Sequence, residues 1–156
     1  GESKFARSIA RNIVNKRREK EINTTLELVS IIKEAVPMKE RIKKHPAKQI
    51  FQAIRIEVNK ELDVLISSLK DSLDLLNVGG RLAVITFHSL EDKIVKDTFR
   101  KVSEVDYLSK GLPNIPEDKL PDFKIITKKG IVPTSKEEEE NHRSHSARLR
   151  VIERIK

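Results

Sequence analysis

An apolar run, Leu82 to Phe87, stops abruptly at His88-Ser89, and two carboxylates, Glu91 and Asp92, follow within three positions. In open α/β sheets, ligands bind outside the carboxyl ends of the strands. His88 is therefore a candidate to hydrogen-bond a ligand, or to fix the turn through a backbone partner. Ser89, Glu91 and Asp92 have a plainer explanation. Ser-x-x-Asp is a capping pattern, with Ser89 expected as the N-cap, and carboxylates are favourable in a first helical turn. His142 and His145 are the other close pair of imidazoles, but no carboxylate spacing beside them supports a metal site. Cysteine is absent, so disulfides and thiolate zinc sites are excluded. The five glycines never occur as G-x-G, so no nucleotide-cradling loop is present. No Ser-His-Asp or Cys-His arrangement stands out.

The second kind of chemistry is phosphate binding. Net charge is +8, and residues 1–60 hold 15 Lys/Arg against 7 Asp/Glu while residues 61–156 hold 17 of each. The whole excess thus sits in the first segment, which reads as a polyanion-facing module joined to a balanced one, or as a solvated helical surface. Arg7, Arg11, Lys16, Arg17, Arg18 and Lys20 form a basic flank and tail. Lys43, Lys44 and Lys48 surround His45-Pro46, which serves either as a helix-start fixture or beside a phosphate contact. One Tyr, no Trp and five Phe give little aromatic interleaving, so extensive base stacking is not expected.

The elements that must carry these residues follow from periodicity. Phe5, Ile9 and Ile13, with Ala6, Ala10 and Val14, recur at helical spacing, and KRREK places cations at that helix's end. Thr24 and Glu27 form a capping box. The next helix presents Leu28, Ile31, Ile32 and Ala35 and is ended by Pro37. MKERIKKH reads as a basic connector. Pro46 suits the first position of a third helix, whose apolar residues run from Phe51 to Leu76. It is either one helix of about 45 Å, bridging two lobes, or two helices bent near Asn59. On its polar flank Arg55 can pair with Glu57 or Glu61, or face RNA. Gly79-Gly80 supply a stop and a turn.

Strands are expected at about 81–87, 123–127 and 147–155, with a helix from Leu90 to Val102 between the first two. Helix, strand, helix is the grammar of a parallel α/β sheet. Residues 103–121 and the stretch KKGIVPTSKEEEENHRS are expected as loops. Three strands alone would leave an edge and a face uncovered, so the chain looks like the second part of something, and a helical reading from nearly the first residue with no Met points to a fragment. An uncovered edge also admits a homodimer by pairing or swapping. No run approaches the ~18 apolar residues of a membrane span, and a cytoplasmic protein without membrane partners is the expectation.

Several stretches together resemble one family. GGRLAVITFHSLEDKIVK is similar to the signature of bacterial 16S ribosomal RNA (cytosine-N4)-methyltransferases, the RsmH or MraW family. HPAKQIFQAIRIEVNKEL resembles that family's long-helix motif. GESKFARSIARNIV and INTTLELVSIIKEAVP resemble its preceding helices, and HRSHSARLRVIERI its C-terminal strand. The matches are in order and cover nearly all 156 residues.

The resemblance implies an α/β fold: the C-terminal part of a class I (Rossmann-like) methyltransferase core, residues 59–156, preceded by an all-helical inserted domain, residues 1–58, that helps to grip rRNA. It implies S-adenosyl-L-methionine as cofactor and N4-methylation of a cytidine in 16S rRNA of the small ribosomal subunit. In that family the cofactor loop lies in the N-terminal half. No cofactor residue is carried over, and this chain alone is expected to be inactive. His88 would contact the base or shape its pocket, once the cytosine is turned out of its stack. Arg7, Arg11, Arg17, Arg18, Lys43, Lys44, Lys48 and Arg143 are the expected RNA contacts. The family usually reads N-P-R-[SA]-R-S where this chain has Asn141-His142-Arg143-Ser144-His145-Ser146, and only Asn141, Arg143, Ser144 and Ser146 match. The rival reading is a non-catalytic basic RNA-binding module.

Overall fold

The computed structural model describes residues 3–43, 45–105 and 114–156, and the chain divides into two compact units, Gly1–Glu61 and Leu62–Lys156. The first unit is helical: α1 (Ala6–Glu19), α2 (Thr25–Glu34), α3 (Met38–Lys43) and α4 (Ala47–Asn59). Helix α2 starts where the sequence marks it. Thr24 Oγ1 accepts from Glu27 N at 3.2 Å and Glu27 Oε2 accepts from Thr24 N at 2.9 Å, a reciprocal box that satisfies two otherwise orphaned donors. Ile9, Ile32, Val36 and Ala47 form the buried centre, with Phe5, Ile13, Leu28, Ile50 and Phe51 packed around it. Full burial of an isoleucine or valine such as Ile9, Ile32 or Val36 contributes about 1.5–3 kcal/mol. Asn12 Nδ2 donates to Ile31 O at 2.8 Å, tying α1 to α2.

One expectation needs correcting in this unit. MKERIK is helical rather than a connector, because Pro37 O accepts from Glu40 N and Arg41 N and opens a new turn. Of the two readings of the long apolar run, the one observed is two helices that part near Asn59. Lys60 adopts a left-handed conformation at φ 52°, which ends α4 before α5 (Glu61–Asp74) begins. Arg55 resolves its alternatives on Glu61, donating from Nε and Nη2 at 2.8 and 3.0 Å.

The second unit orders its elements as the body of α5, then β1 (Arg81–Thr86), α6 (Ser89–Ser103), β2 (Phe123–Ile125), α7 (Ser135–Glu140) and β3 (Arg148–Arg154). The expected parallel sheet is not observed. The strand order is β1-β3-β2, and β3 is antiparallel to both neighbours. β1 and β2 do share a direction, as strand–helix–strand grammar requires, but β3 lies between them. The register sets Leu82 opposite Ile152, Val84 opposite Arg150 and Thr86 opposite Arg148. On that face Leu82, Val84, Phe123, Ile125 and Ile152 pack against Leu69 and Leu73 of α5 and Val95 and Phe99 of α6. The stretch expected as a polar loop before β3 is structured as well. Thr134 Oγ1 caps α7 by accepting from Glu137 N at 3.3 Å, a tight 3-10 turn spans His142–Ser146, and Ile131 bridges to Leu149.

The turn into β1 shows why glycine is needed there. Gly79 has φ +83°, and a Cβ on Gly80 would meet Asn77 O at 2.8 Å. The turn is bonded to β3 from both sides: Gly79 N donates to Arg154 O at 2.7 Å, and Gly80 O accepts from Arg154 N at 2.9 Å. No helix among the described residues is long and apolar enough to cross a membrane.

Candidate functional site

The carboxyl end of β1 concentrates the site. The last strand residue, Thr86, is buried and turned toward α6. The chain then bends at Phe87-His88, and the N-cap of α6 is His88 rather than Ser89. His88 has extended dihedrals, φ −145° and ψ 162°, and its Nδ1 accepts from Glu91 N at 3.3 Å. Glu91 reciprocates, its Oε2 accepting from Phe87 N at 2.9 Å and from His88 N at 3.2 Å. This is a capping box with an imidazole in place of a hydroxyl. Ser-x-x-Asp misled because the geometry runs one residue earlier, as His-x-x-Glu. A Ser89 cap would place the strand-to-helix bend one residue later.

Only one acceptor exists on a neutral imidazole, and here it is Nδ1. The other nitrogen, Nε2, lies 3.2 Å from Glu91 Oε1. That contact would be an ion pair only for a protonated ring, which has no lone pair left to cap the helix. No hydrogen bond forms there, and Nε2 is the one buried side-chain polar atom without a hydrogen bond among the described residues.

One residue beyond Glu91, Asp92 clamps the same helical turn to the sheet. Arg150 of β3 donates from Nε and Nη2 to Asp92 Oδ1 and Oδ2 at 2.7 and 2.9 Å, and Arg148 Nη1 lies 3.6 Å from Oδ2. The Arg150 hydrogen bonds hold the Asp92 carboxyl below the usual carboxylate range, against burial, which acts the other way, with help from the charges of Arg150, Arg148 and Lys96. Arg150 was missed in the sequence. The signal was there: in the alternating strand it shares the parity of Ile152, so an arginine stands on the face that packs on α6. A guanidinium on that face requires a carboxylate, and Asp92 is the one supplied.

The basic residues lie elsewhere. Arg7, Arg11, Arg17 and Arg18 are all exposed on α1, and none makes an ion pair or side-chain hydrogen bond among the described residues. Their neighbours Lys16 and Lys20 do, with Glu19 and Glu27. At 100° per residue Arg7, Arg11 and Arg18 fall within about 40° of one another, a stripe about 16 Å long. Arg17 projects from an adjacent face. Lys48 is exposed at the start of α4, and Arg143 is exposed on the 3-10 turn before β3. Lys44 and the Lys43 side chain lie outside the described residues. His145 Nδ1 is 3.5 Å from Glu138 Oε2, on the surface.

Comparison with known proteins bears on this arrangement. Residues 1–155 match the model of the MraW methylase family. The chain is 56% identical over 156 residues to "Ribosomal RNA small subunit methyltransferase H" of Lactobacillus delbrueckii subsp. bulgaricus, covering 99% of this chain and 49% of that protein. It is 55% identical to proteins of the same name from Streptococcus mutans and Limosilactobacillus fermentum, covering 100% of this chain and 49% and 50% of theirs. The chain therefore spans about half the length of these curated relatives. A match along all but the last residue, at this level of identity, makes the chain a member of the MraW methylase family.

Proposed function

We propose that the chain is one portion of an S-adenosylmethionine-dependent enzyme that methylates N4 of a cytidine in 16S rRNA of the small ribosomal subunit. The observation that carries this reading is the family match over residues 1–155, with relatives named as small-subunit rRNA methyltransferases. The division of labour follows from charge and from the sheet. The stripe Arg7, Arg11 and Arg18, with Arg17, Lys43, Lys44, Lys48 and Arg143, supplies cations for RNA phosphates. The second unit supplies the edge of the core that meets the target base, with His88 shaping the bend beside it.

The sheet is the C-terminal part of a larger Rossmann-like core. One face is packed by α5 and α6, and the other carries Ala83, Ile85, Leu149, Val151 and Ile131. Ile85 is 59% exposed and Ile131 55%. β1 lies at the edge of the sheet, paired among the described residues with β3 alone. An apolar face beside an open strand edge fits further strands and helices from the other half of the relatives' length.

The two turns that flank β1 do not fit S-adenosylmethionine. The backbone donors of Phe87, His88 and Glu91 are all engaged within the turn, and Gly79-Gly80 stand before a strand, bonded to β3. The cofactor is expected to be held outside this chain. Titration calorimetry with S-adenosylmethionine tests the reading: binding is expected for the full-length enzyme and none for this chain alone. Tight binding by this chain would contradict the division of labour. Salt-dependent binding of small-subunit rRNA tests the grip. A log–log slope near zero would exclude phosphate neutralisation.

A further inference from the structure

We infer that His88 is a positioning residue that never serves as the proton acceptor of the reaction, and that Glu91 is its partner in positioning. The inference deepens the methyltransferase reading above and rests on it for its catalytic meaning. Methylation of an exocyclic amine leaves a surplus proton on nitrogen once the N–C bond forms, and a histidine at the reacting edge of a sheet is the usual candidate to take it. The geometry at the end of β1 denies His88 that role.

The lone pairs of the imidazole decide the role. Glu91 N is an N-terminal donor of α6, and among the described residues its acceptor is His88 Nδ1, at 3.3 Å. That bond fixes the ring as the tautomer with hydrogen on Nε2. Flipping the ring would put a C–H against the Glu91 N–H and orphan a partly buried donor, which is costly. Accepting a proton at Nδ1 would break the same bond and set two donors against each other. Nε2 already carries hydrogen, so it can donate but not accept. It is buried and makes no hydrogen bond within the described residues, and the His88 side chain as a whole is 12% exposed.

Glu91 completes the lock. Its Oε2 holds both Phe87 N and His88 N, so the carboxylate fixes the backbone that aims the imidazole. The Asp92–Arg150 clamp then fixes the first turn of α6 against β3. His88 therefore acts through the shape of the bend and the N-terminal position of α6. A residue that can cap a helix and donate one hydrogen bond should replace it, and asparagine does both.

The test compares His88→Asn and His88→Ala in the full-length enzyme, with turnover and melting measured on each, and reads the wild-type ring by long-range 15N NMR. His88→Asn is expected to keep methyl transfer within threefold of wild type, while His88→Ala loses at least tenfold. The NMR is expected to show the Nε2–H tautomer. A loss beyond threefold in His88→Asn with wild-type melting would overturn the inference, and so would hydrogen found on Nδ1. If His88→Asn fails to fold, the NMR result decides alone. Failure of the wild-type enzyme to methylate small-subunit rRNA would remove the functional reading and leave the tautomer result standing.

Discussion

Arg150 and Asp92 meet across 58 residues of sequence in a two-pronged ion pair, Nε to Oδ1 at 2.7 Å and Nη2 to Oδ2 at 2.9 Å. The Arg150 side chain is 7% exposed and that of Asp92 19%. Burial of this order makes the pair costly to break, because removing one partner leaves the other charge desolvated and alone. Arg150→Ala is expected to lower stability by about 3–5 kcal/mol. Asp92→Asn, which keeps one acceptor oxygen, should cost less, on the order of 2–3 kcal/mol. Urea unfolding at neutral pH measures both, and a loss under about 1 kcal/mol in Arg150→Ala would contradict the role given to the clamp.

The same pair fixes a pH dependence. Arg150 lowers the folded-state pKa of Asp92 below its unfolded value, so the stability it contributes is fully present above the unfolded pKa of about 3.9. It is lost as pH falls through the lower, folded value. Urea midpoints followed from pH 6 downward should therefore fall more steeply below about pH 4 in wild type than in Asp92→Asn. Parallel curves would show that Asp92 is not the linked group.

The imidazole cap predicts a stability effect distinct from any catalytic one. His88→Ala removes an N-cap and should cost about 1 kcal/mol, and in the full-length enzyme it should reduce methyl transfer at least tenfold, about 1.4 kcal/mol at the barrier. His88→Ser restores a cap oxygen and should recover most of the melting temperature. A His88→Ala variant that melts like wild type would contradict the cap.

The reach of the sequence can be judged from these residues. Thr24 and Glu27 announced their helix start because a capping box is local, needing only four consecutive residues. The stripe of Ile9 and Ile13 announced a buried helical face for the same reason. A bend near Asn59 was one of two readings, but the apolar spacing runs on through the break and could not decide between them, since nothing in a lysine signals a left-handed backbone. Nor did periodicity reveal that β3 enters between β1 and β2, since alternation tells which face a residue takes and not which strand it pairs with. At the site, His88 was visible as an oddity, and the fixed turn was one of its two readings. Its cap was obscured by Ser89, a better capping residue one position too late.

The exposed arginines of α1 give a prediction independent of the sheet. Arg7, Arg11 and Arg18 have no side-chain partners to lose among the described residues, so each change to Ala should leave folding intact. Each should weaken rRNA binding and reduce the slope of log K against log salt by about 0.7–0.9, the share of one phosphate contact. Nitrocellulose filter binding across a salt series reads both numbers. Unchanged slopes in the triple variant would place the RNA on another surface.

The most direct measurement is mass spectrometry of nucleosides from 16S rRNA, taken from small subunits lacking the modification and incubated with the full-length enzyme and S-adenosylmethionine. The expected product is a single new N4-methylcytidine, formed by the full-length enzyme and absent with this chain alone. Methyl groups found only on a ribose or on C5 of cytosine, or none at all, would contradict it.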